Sequence, residues 1–291
     1  MEIEKDMTII GASEIKYFSF PSPSVGYAAS ESGFIYKTTD GGSSWTTITV
    51  ATSKTCKGLE FFGETKGMCL MNNDVYVTTD GGQTWSIKDV ATFIGKTDEG
   101  IGVIGTCSPM SCTIKTTINN GQTFIYKGKM NYNGFNFRTS RIVDNKVVIL
   151  SNDRYEHGNE NGFNLSNNTA FSVELGGLNA YEIPNDIYLS NGQGTGVGNY
   201  GLVMDEVLNY SRNYFGHTYS YYSVDGYGGF KVCIGEKTIV SNMDIGSEHV
   251  WNEVFDINGD GFTNTFYKIR FISSNTFYIS GSAGLILKAR I

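Results

Sequence analysis

The segment Ile35-Tyr36-Lys37-Thr38-Thr39-Asp40-Gly41-Gly42-Ser43-Ser44-Trp45 returns forty residues later as Val75-Tyr76-Val77-Thr78-Thr79-Asp80-Gly81-Gly82-Gln83-Thr84-Trp85. A third copy, Thr117-Ile118-Asn119-Asn120-Gly121-Gln122-Thr123-Phe124, comes after thirty-nine more, with Asn in place of Asp and Phe in place of Trp. A fixed period of this size means one supersecondary unit stacked against copies of itself. Within each copy an apolar-alternating run enters a polar turn with small residues and leaves on an aromatic. That pattern is a strand, a tight turn and the next strand of a hairpin.

The period continues more faintly. Strands resembling Val25-Gly26-Tyr27-Ala28-Ala29 recur at Lys66–Leu70, Ile101–Ile104, Lys146–Leu150, Asp186–Ser190, Gly229–Cys233 and Thr276–Ser280. Seven units of this length, each with room for four short strands, predict an all-β, seven-bladed β-propeller of four-stranded blades occupying residues 1–291 as one domain. The last unit ends at Ile291 on its third strand, while Met7-Thr8-Ile9-Ile10 stands as a spare apolar run ahead of the first unit. This run is expected to complete the last blade and remove an exposed edge. Glycine is abundant (36) and proline scarce (4), which suits short strands joined by glycine turns.

A formal charge of −7 argues against a nucleic-acid partner. The absence of any eighteen-residue apolar run argues against membrane insertion. The start, Met1-Glu2-Ile3-Glu4-Lys5-Asp6, is acidic and has no apolar core of a signal peptide. Five cysteines leave at least one unpaired within the chain, and Cys107 and Cys112 flank a four-residue turn where a hairpin would bring them together as a disulfide.

The repeated turn resembles the Asp-box, or bacterial neuraminidase repeat, through Thr38, Asp40, Gly42, Ser44 and Trp45 and through Thr78, Asp80, Gly82, Thr84 and Trp85. The third copy departs from the box at Asn119 and Phe124, and Asn242-Met243-Asp244-Ile245-Gly246 with Trp251 reads as a fourth box with a longer turn. Across its length the chain is similar to single-domain propellers of the photosystem II stability/assembly-factor type. The resemblance implies a propeller in which Asp40, Asp80, Asn119, Trp45, Trp85 and Phe124 are structural. The carboxylate accepts turn N–H groups, the glycine supplies positive φ and the aromatic packs between strands.

The same resemblance raises glycoside hydrolysis as the alternative activity, sialidase-like above all. Sialidases set three arginines around a carboxylate, use a Tyr/Glu nucleophile pair and an Asp, and carry an Arg-Ile-Pro motif near the start. This chain has six arginines, and its nearest match is Tyr181-Glu182-Ile183-Pro184, where a carboxylate would repel an anionic sugar. No spacing identifies a catalytic carboxylate pair. The reading is therefore of a chain that is not an enzyme.

Two constellations carry binding chemistry. Asp256, Asn258 and Asp260, the carbonyl of Phe262, and Asn264 fall at calcium-loop positions, with Gly261 at the bend; the closing glutamate is replaced by Tyr267. This loop is expected to take Ca2+ weakly. Aromatics with arginine cluster at Tyr132, Phe135 and Arg138 and again at Tyr210, Arg212, Tyr214, His217 and Tyr219. Both sets lie in blade-linking segments, on the face opposite the repeated turns, and suit a protein hot spot or sugar stacking. Taken together, the residues predict a non-catalytic scaffold holding a protein or glycan on its blade-linking face. Calcium and a disulfide favour an extracytoplasmic site, on a secreted, cell-surface or virion protein.

Overall fold

A computed structural model describes residues 2–51, 53–131, 137–143, 145–151, 159–174, 185–190, 193–197, 203–205, 220–227, 230–236, 238–245, 248–256 and 264–290. The chain packs as two compact units. A medial unit comprises Glu14–Asp153 and Asn161–Val173, and a terminal unit comprises Met1–Ser13, Arg154–Glu160 and Glu174–Ile291.

The first strand, β1 (Glu2–Asp6), belongs to the terminal unit. The medial unit then builds four antiparallel meanders. The first runs β2 (Tyr17–Ser19), β3 (Gly26–Ala29), β4 (Phe34–Thr38) and β5 (Thr46–Thr49). The second runs β6 (Cys56–Phe61), β7 (Gly67–Met71), β8 (Asp74–Thr78) and β9 (Ser86–Val90). The third runs β10 (Phe93–Lys96), β11 (Gly102–Ser108), β12 (Ser111–Thr117) and β13 (Ile125–Asn131). The fourth runs β14 (Phe137–Val143), β15 (Lys146–Ser151), β16 (Asn159–Asn164) and β17 (Thr169–Glu174).

In the terminal unit β18 (Asp186–Ser190), β19 (Gln193–Val197) and β20 (Val203–Asp205) pair in that order. Next come β21 (Tyr221–Tyr227), β22 (Phe230–Gly235), β23 (Thr238–Ile245) and β24 (Glu248–Asp256). The last sheet joins both ends of the sequence. It contains β25 (Phe266–Phe271), β26 (Thr276–Gly281) and β27 (Ile286–Arg290), with β1 as its outer strand in the order β1-β27-β26-β25.

The fold is an all-β propeller with four-stranded blades, but six blades, not seven, have four strands. The expectation of seven is corrected at β18–β20, where the described residues form only three strands. The middle strand β19 is paired on both sides despite Gly194 and Gly196, so the shortfall lies on the outer side of β20, a position that the apolar period of buried strands does not report. Two further expectations change. An N-terminal strand completes the last blade as expected, but its ladder with β27 is formed by the charged Glu2–Asp6, and the apolar Met7–Ile10 run only extends it through the Met7 and Ile9 amides. The supposed fourth box is not a turn at Asn242–Ile245, because β23 and β24 pair without a break from Val240↔Glu253 to Ile245↔Glu248.

Within each unit the spaces between neighbouring sheets are filled by apolar side chains of the inner and middle strands. Met68, Cys69, Leu70 and Met71 of β7 are inaccessible to solvent, as are Val232, Cys233 and Ile234 of β22 within 2 %. Large rings complete the packing. Tyr27 and Phe61 stack with centroids 3.5 Å apart, and each buried ring contributes roughly 1.5–3 kcal/mol through lost water contact.

Candidate functional site

The repeated turns come first, because the sequence singles them out. At β8–β9 the Thr78 hydroxyl donates to Asp80 Oδ1 (2.8 Å) and accepts from the Gly82 amide (2.9 Å). Asp80 then closes the turn from the other side. Its Oδ1 accepts the Thr84 amide (2.9 Å) and its Oδ2 the Thr84 hydroxyl (2.5 Å). Gly81 and Gly82 hold φ of +73° and +89°, a region side chains disfavour. The turn around Asp40 repeats these bonds through Thr38, Gly42 and Ser44. Hydrogen bonds from the turn favour the ionised form. They lower the Asp80 carboxyl to about 2, the Thr84 hydroxyl and amide leading, and the Asp40 carboxyl further, with Ser44 first.

These carboxylates are therefore committed to their own loops. The turns also fasten one sheet to the next. Lys37 Nζ donates to the Gly81 carbonyl (3.0 Å), and the Tyr27 hydroxyl donates to the Glu64 carbonyl (2.6 Å) with a longer contact to that of Gly81 (3.4 Å).

The blade-linking ends of the inner strands in the terminal unit hold a different constellation. Asp186, at the start of β18 and only 4 % exposed, accepts at Oδ2 from the Ser223 hydroxyl (2.7 Å) and the Val224 amide (3.4 Å) of β21. It also meets Lys268 Nζ of β25 at 3.2 Å. Toward the opposite ends of the same strands, Asp225 of β21 accepts the amide of Phe271, the last residue of β25 (2.7 Å). Both buried carboxylates thus accept backbone amides, and Asp186 also meets a cation, as burial of charge requires.

Beside them the Tyr222 hydroxyl donates to Glu236 Oε1 (2.9 Å), while Glu236 Oε2 accepts the Ser220 amide (3.1 Å). Burial first, then the bond to Glu236, pushes the Tyr222 hydroxyl up to about 12. The rings of Tyr222 and Tyr267 lie 6.1 Å apart at 44°. Both are half-buried, which leaves part of each ring on the surface.

Most of the binding residues expected from the sequence fall outside the described residues: Tyr132, Phe135, Tyr210, Arg212, Tyr214, His217 and Tyr219. Arg138 lies on β14, but its side chain is likewise outside them. Of the calcium-type loop, Asp256 ends β24, Asn258, Asp260 and Phe262 lie outside, and Asn264 is described. Its Nδ2 donates to the Ser282 carbonyl (2.8 Å), which leaves Oδ1 as the end able to face a cation. Among the described residues no group of three His, Cys, Asp or Glu side chains is placed to hold a metal ion, and no helix is long and apolar enough to cross a membrane. Cys107 and Cys112 face one another across the β11–β12 hairpin and form a disulfide, while Cys56, Cys69 and Cys233 are buried free thiols.

Tyr221 and Tyr222 are neighbours in the sequence, and no spacing distinguishes them. Tyr221 is a core residue with no exposed surface, and Tyr222 reaches the surface. Asp186, Glu236 and Lys268 stand in no motif. The available signal is a charged residue at the start of an otherwise apolar inner strand, as in Asp186-Ile187-Tyr188-Leu189.

No family model matches the chain, and no curated protein matches its sequence. Solved structures do match in fold. A structure of YCF48 bound to a D1 peptide superposes with a TM-score of 0.72 at 16 % identity, covering 99 % of this chain and 96 % of that one. YCF48 from Cyanidioschyzon merolae gives 0.72 at 14 %, covering 98 % of each chain. The WD40 β-propeller domain of Doa1 gives 0.66 at 12 %, covering 99 % and 95 %. At these identities the likeness is one of fold.

Proposed function

We propose that this chain is a non-catalytic propeller scaffold that holds an extended polypeptide on its blade-linking face. The observation that carries the reading is the ledge formed by Tyr222 and Tyr267. Its two half-buried rings lie against one another, Tyr222 is held by Glu236, and Lys268, next to Tyr267, pairs with Asp186. Rigid, partly exposed tyrosines over a satisfied polar base are what a protein hot spot needs. The fold likeness to a YCF48 propeller bound to a D1 peptide supports a peptide as occupant of this class of surface. Committed carboxylates, in the turns and at Asp186, argue against a free acid/base pair.

Three finer assignments belong to the same proposal. The repeated turns are Asp-boxes. The Asp256–Asn264 loop takes Ca2+ and stiffens the linking face, with Asn264 pinned by Ser282. The chain works in an oxidising, extracytoplasmic setting, a reading supported by the Cys107–Cys112 disulfide.

The test is an array of extended peptides probed with the full chain and with Tyr222→Ala and Tyr267→Ala. Retention of a peptide subset, weakened at least tenfold by either substitution, is expected. Turnover of a fluorogenic glycoside panel, or indifference of every retained peptide to both substitutions, would overturn the reading. For the loop, millimolar calcium should raise the melting temperature, and an unchanged melting curve would remove the metal from the proposal.

A further inference from the structure

The seat of β1 on β27 is built from alternating charge. Glu2 lies opposite Arg290, and its Oε2 meets Arg290 Nη2 at 2.6 Å. A bulge between Ile3 and Lys5 inserts Glu4, which reaches Lys288 Nζ (2.7 Å) and Arg290 Nε (3.7 Å). The insertion offsets the opposition of Lys5 to Lys288 in the ladder. Apolar attachment is modest: Ile3 is partly buried against the core of the last sheet, and Met7 and Ile9 are buried. The Met7 and Ile9 amides donate to the carbonyls of Ile286 (2.8 Å) and Gly284 (2.9 Å).

Beyond Ile9 the chain turns sharply. The Ala12 amide returns to the Ile9 carbonyl (3.1 Å), Gly11 holds φ of +86°, and a Cβ on Gly11 would meet nothing within 4 Å. Ile10 is 98 % exposed, the most exposed large apolar side chain among the described residues. Immediately after this turn the chain is anchored again, through buried Ala12 and Ile15 and through the Ser13 carbonyl, which accepts the Ala283 amide at 2.6 Å.

A strand held chiefly by backbone pairing and surface ion pairs, joined to the body by one open glycine turn, can leave its seat without unfolding the rest of the chain. The vacated edge of β27 is specific, because it asks for an acidic residue at two positions. A second copy carries that strand. We propose that the β27 edge is an interface between two copies of this chain, in which residues 2–9 of one copy occupy β27 of the other and Ile10–Gly11 is the hinge. Every contact made within one chain is remade between two, so the balance rests on hinge strain and protein concentration. In the exchanged pair the hinge runs extended and the two Ile10 side chains lose their exposure against one another.

The hinge supplies the test. Gly11→Val adds a side chain where no atom stands in its way, so it acts through the disfavoured positive φ of the closed turn and leaves the extended form unstrained. Light scattering should show the two-copy mass at concentrations about tenfold below those at which the parent chain shows it. As a measurement that keeps the native hinge, Glu2→Cys chains mixed with Arg290→Cys chains should give an interchain disulfide between the two variants. Its yield should rise with concentration, and its rate with ionic strength as the ion pairs weaken. Each variant alone controls for the three buried native thiols. A Gly11→Val chain that keeps the parent's mass at every concentration, or a mixture yielding no disulfide between the two variants, overturns the proposal.

Discussion

The Asp80 and Asn119 turns reach the same shape with opposite polarity at one bond. In both, a threonine hydroxyl (Thr78 or Thr117) caps the glycine amide four residues on, and an Oδ1 accepts a second amide four residues further along. Asp80 Oδ2 accepts the Thr84 hydroxyl, whereas Asn119 Nδ2 donates to the Thr123 hydroxyl at 2.9 Å. The hydroxyl rotates from donor to acceptor, and the turn survives the loss of charge. The surroundings of the turns differ more. Gly81 receives Lys37 and Tyr27 from the preceding sheet, and Trp85 donates its indole N–H to the Gly82 carbonyl (3.1 Å). Gly121 packs against Val77 as Gly82 does against Ile48, but Phe124 has no N–H to give. One backbone device thus rests on an apolar side chain of the preceding sheet in both cases, with polar ties added in the first.

If backbone shape is the shared element, its loss should cost both turns alike and cost the most. Gly82→Ala and Gly121→Ala place a Cβ 2.8 Å from Ile48 and 2.9 Å from Val77 at φ of +89° and +85°. Each should lower stability by about 2–3 kcal/mol in chemical denaturation. A large difference between the two would break the equivalence. Next in size are Thr78→Val and Thr117→Val, which leave a buried glycine amide without its acceptor. Each should cost about 1–3 kcal/mol, again equally. Trp85→Phe converts the second turn's aromatic into that of the third. It should cost about 0.5–1.5 kcal/mol for the lost indole bond, with no matching effect from Phe124→Leu beyond packing.

Legibility in the sequence tracks the range of the interactions. The turns are readable because Thr78, Asp80, Gly82 and Thr84 make their bonds within four residues, so spelling and geometry coincide. The Asp186–Lys268 pair spans 82 residues and three inner strands, and no local pattern carries it. A search for an apolar N-terminal strand selects Met7–Ile10. The outer strand of a sheet, however, has one face in water, and here its partners are Lys288 and Arg290, so the charged Glu2–Asp6 pairs better. Asn242–Trp251 contains the letters of a box, yet its strand alternation runs on unbroken and the register Ile245↔Glu248 leaves only two residues to turn in. The shortfall in four-stranded blades is hidden for a related reason, since a periodicity of apolar runs follows the buried strands and carries no record of an outer one beyond β20.

The smallest effect is the one that separates charge from shape. Asp80 in the folded chain titrates at about 2, below the ordinary carboxylate value of 3.8, because the Thr84 and Thr78 groups donate to its ionised form. A depressed folded value means that the contribution is fully present above pH 4 and disappears as pH falls from about 4 toward 2. Asp80→Asn should keep the turn, since Asn119 shows that an amide can make the same three bonds, while flattening the acid limb of the stability curve. The reciprocal Asn119→Asp should add an acid-labile component over the same window while leaving the plateau above pH 5 nearly unchanged. Both positions are open to solvent, so salt should shrink either difference. Parallel stability curves for parent and both variants between pH 2 and 6 would mean that the aspartate's charge does nothing in these turns beyond what its shape does.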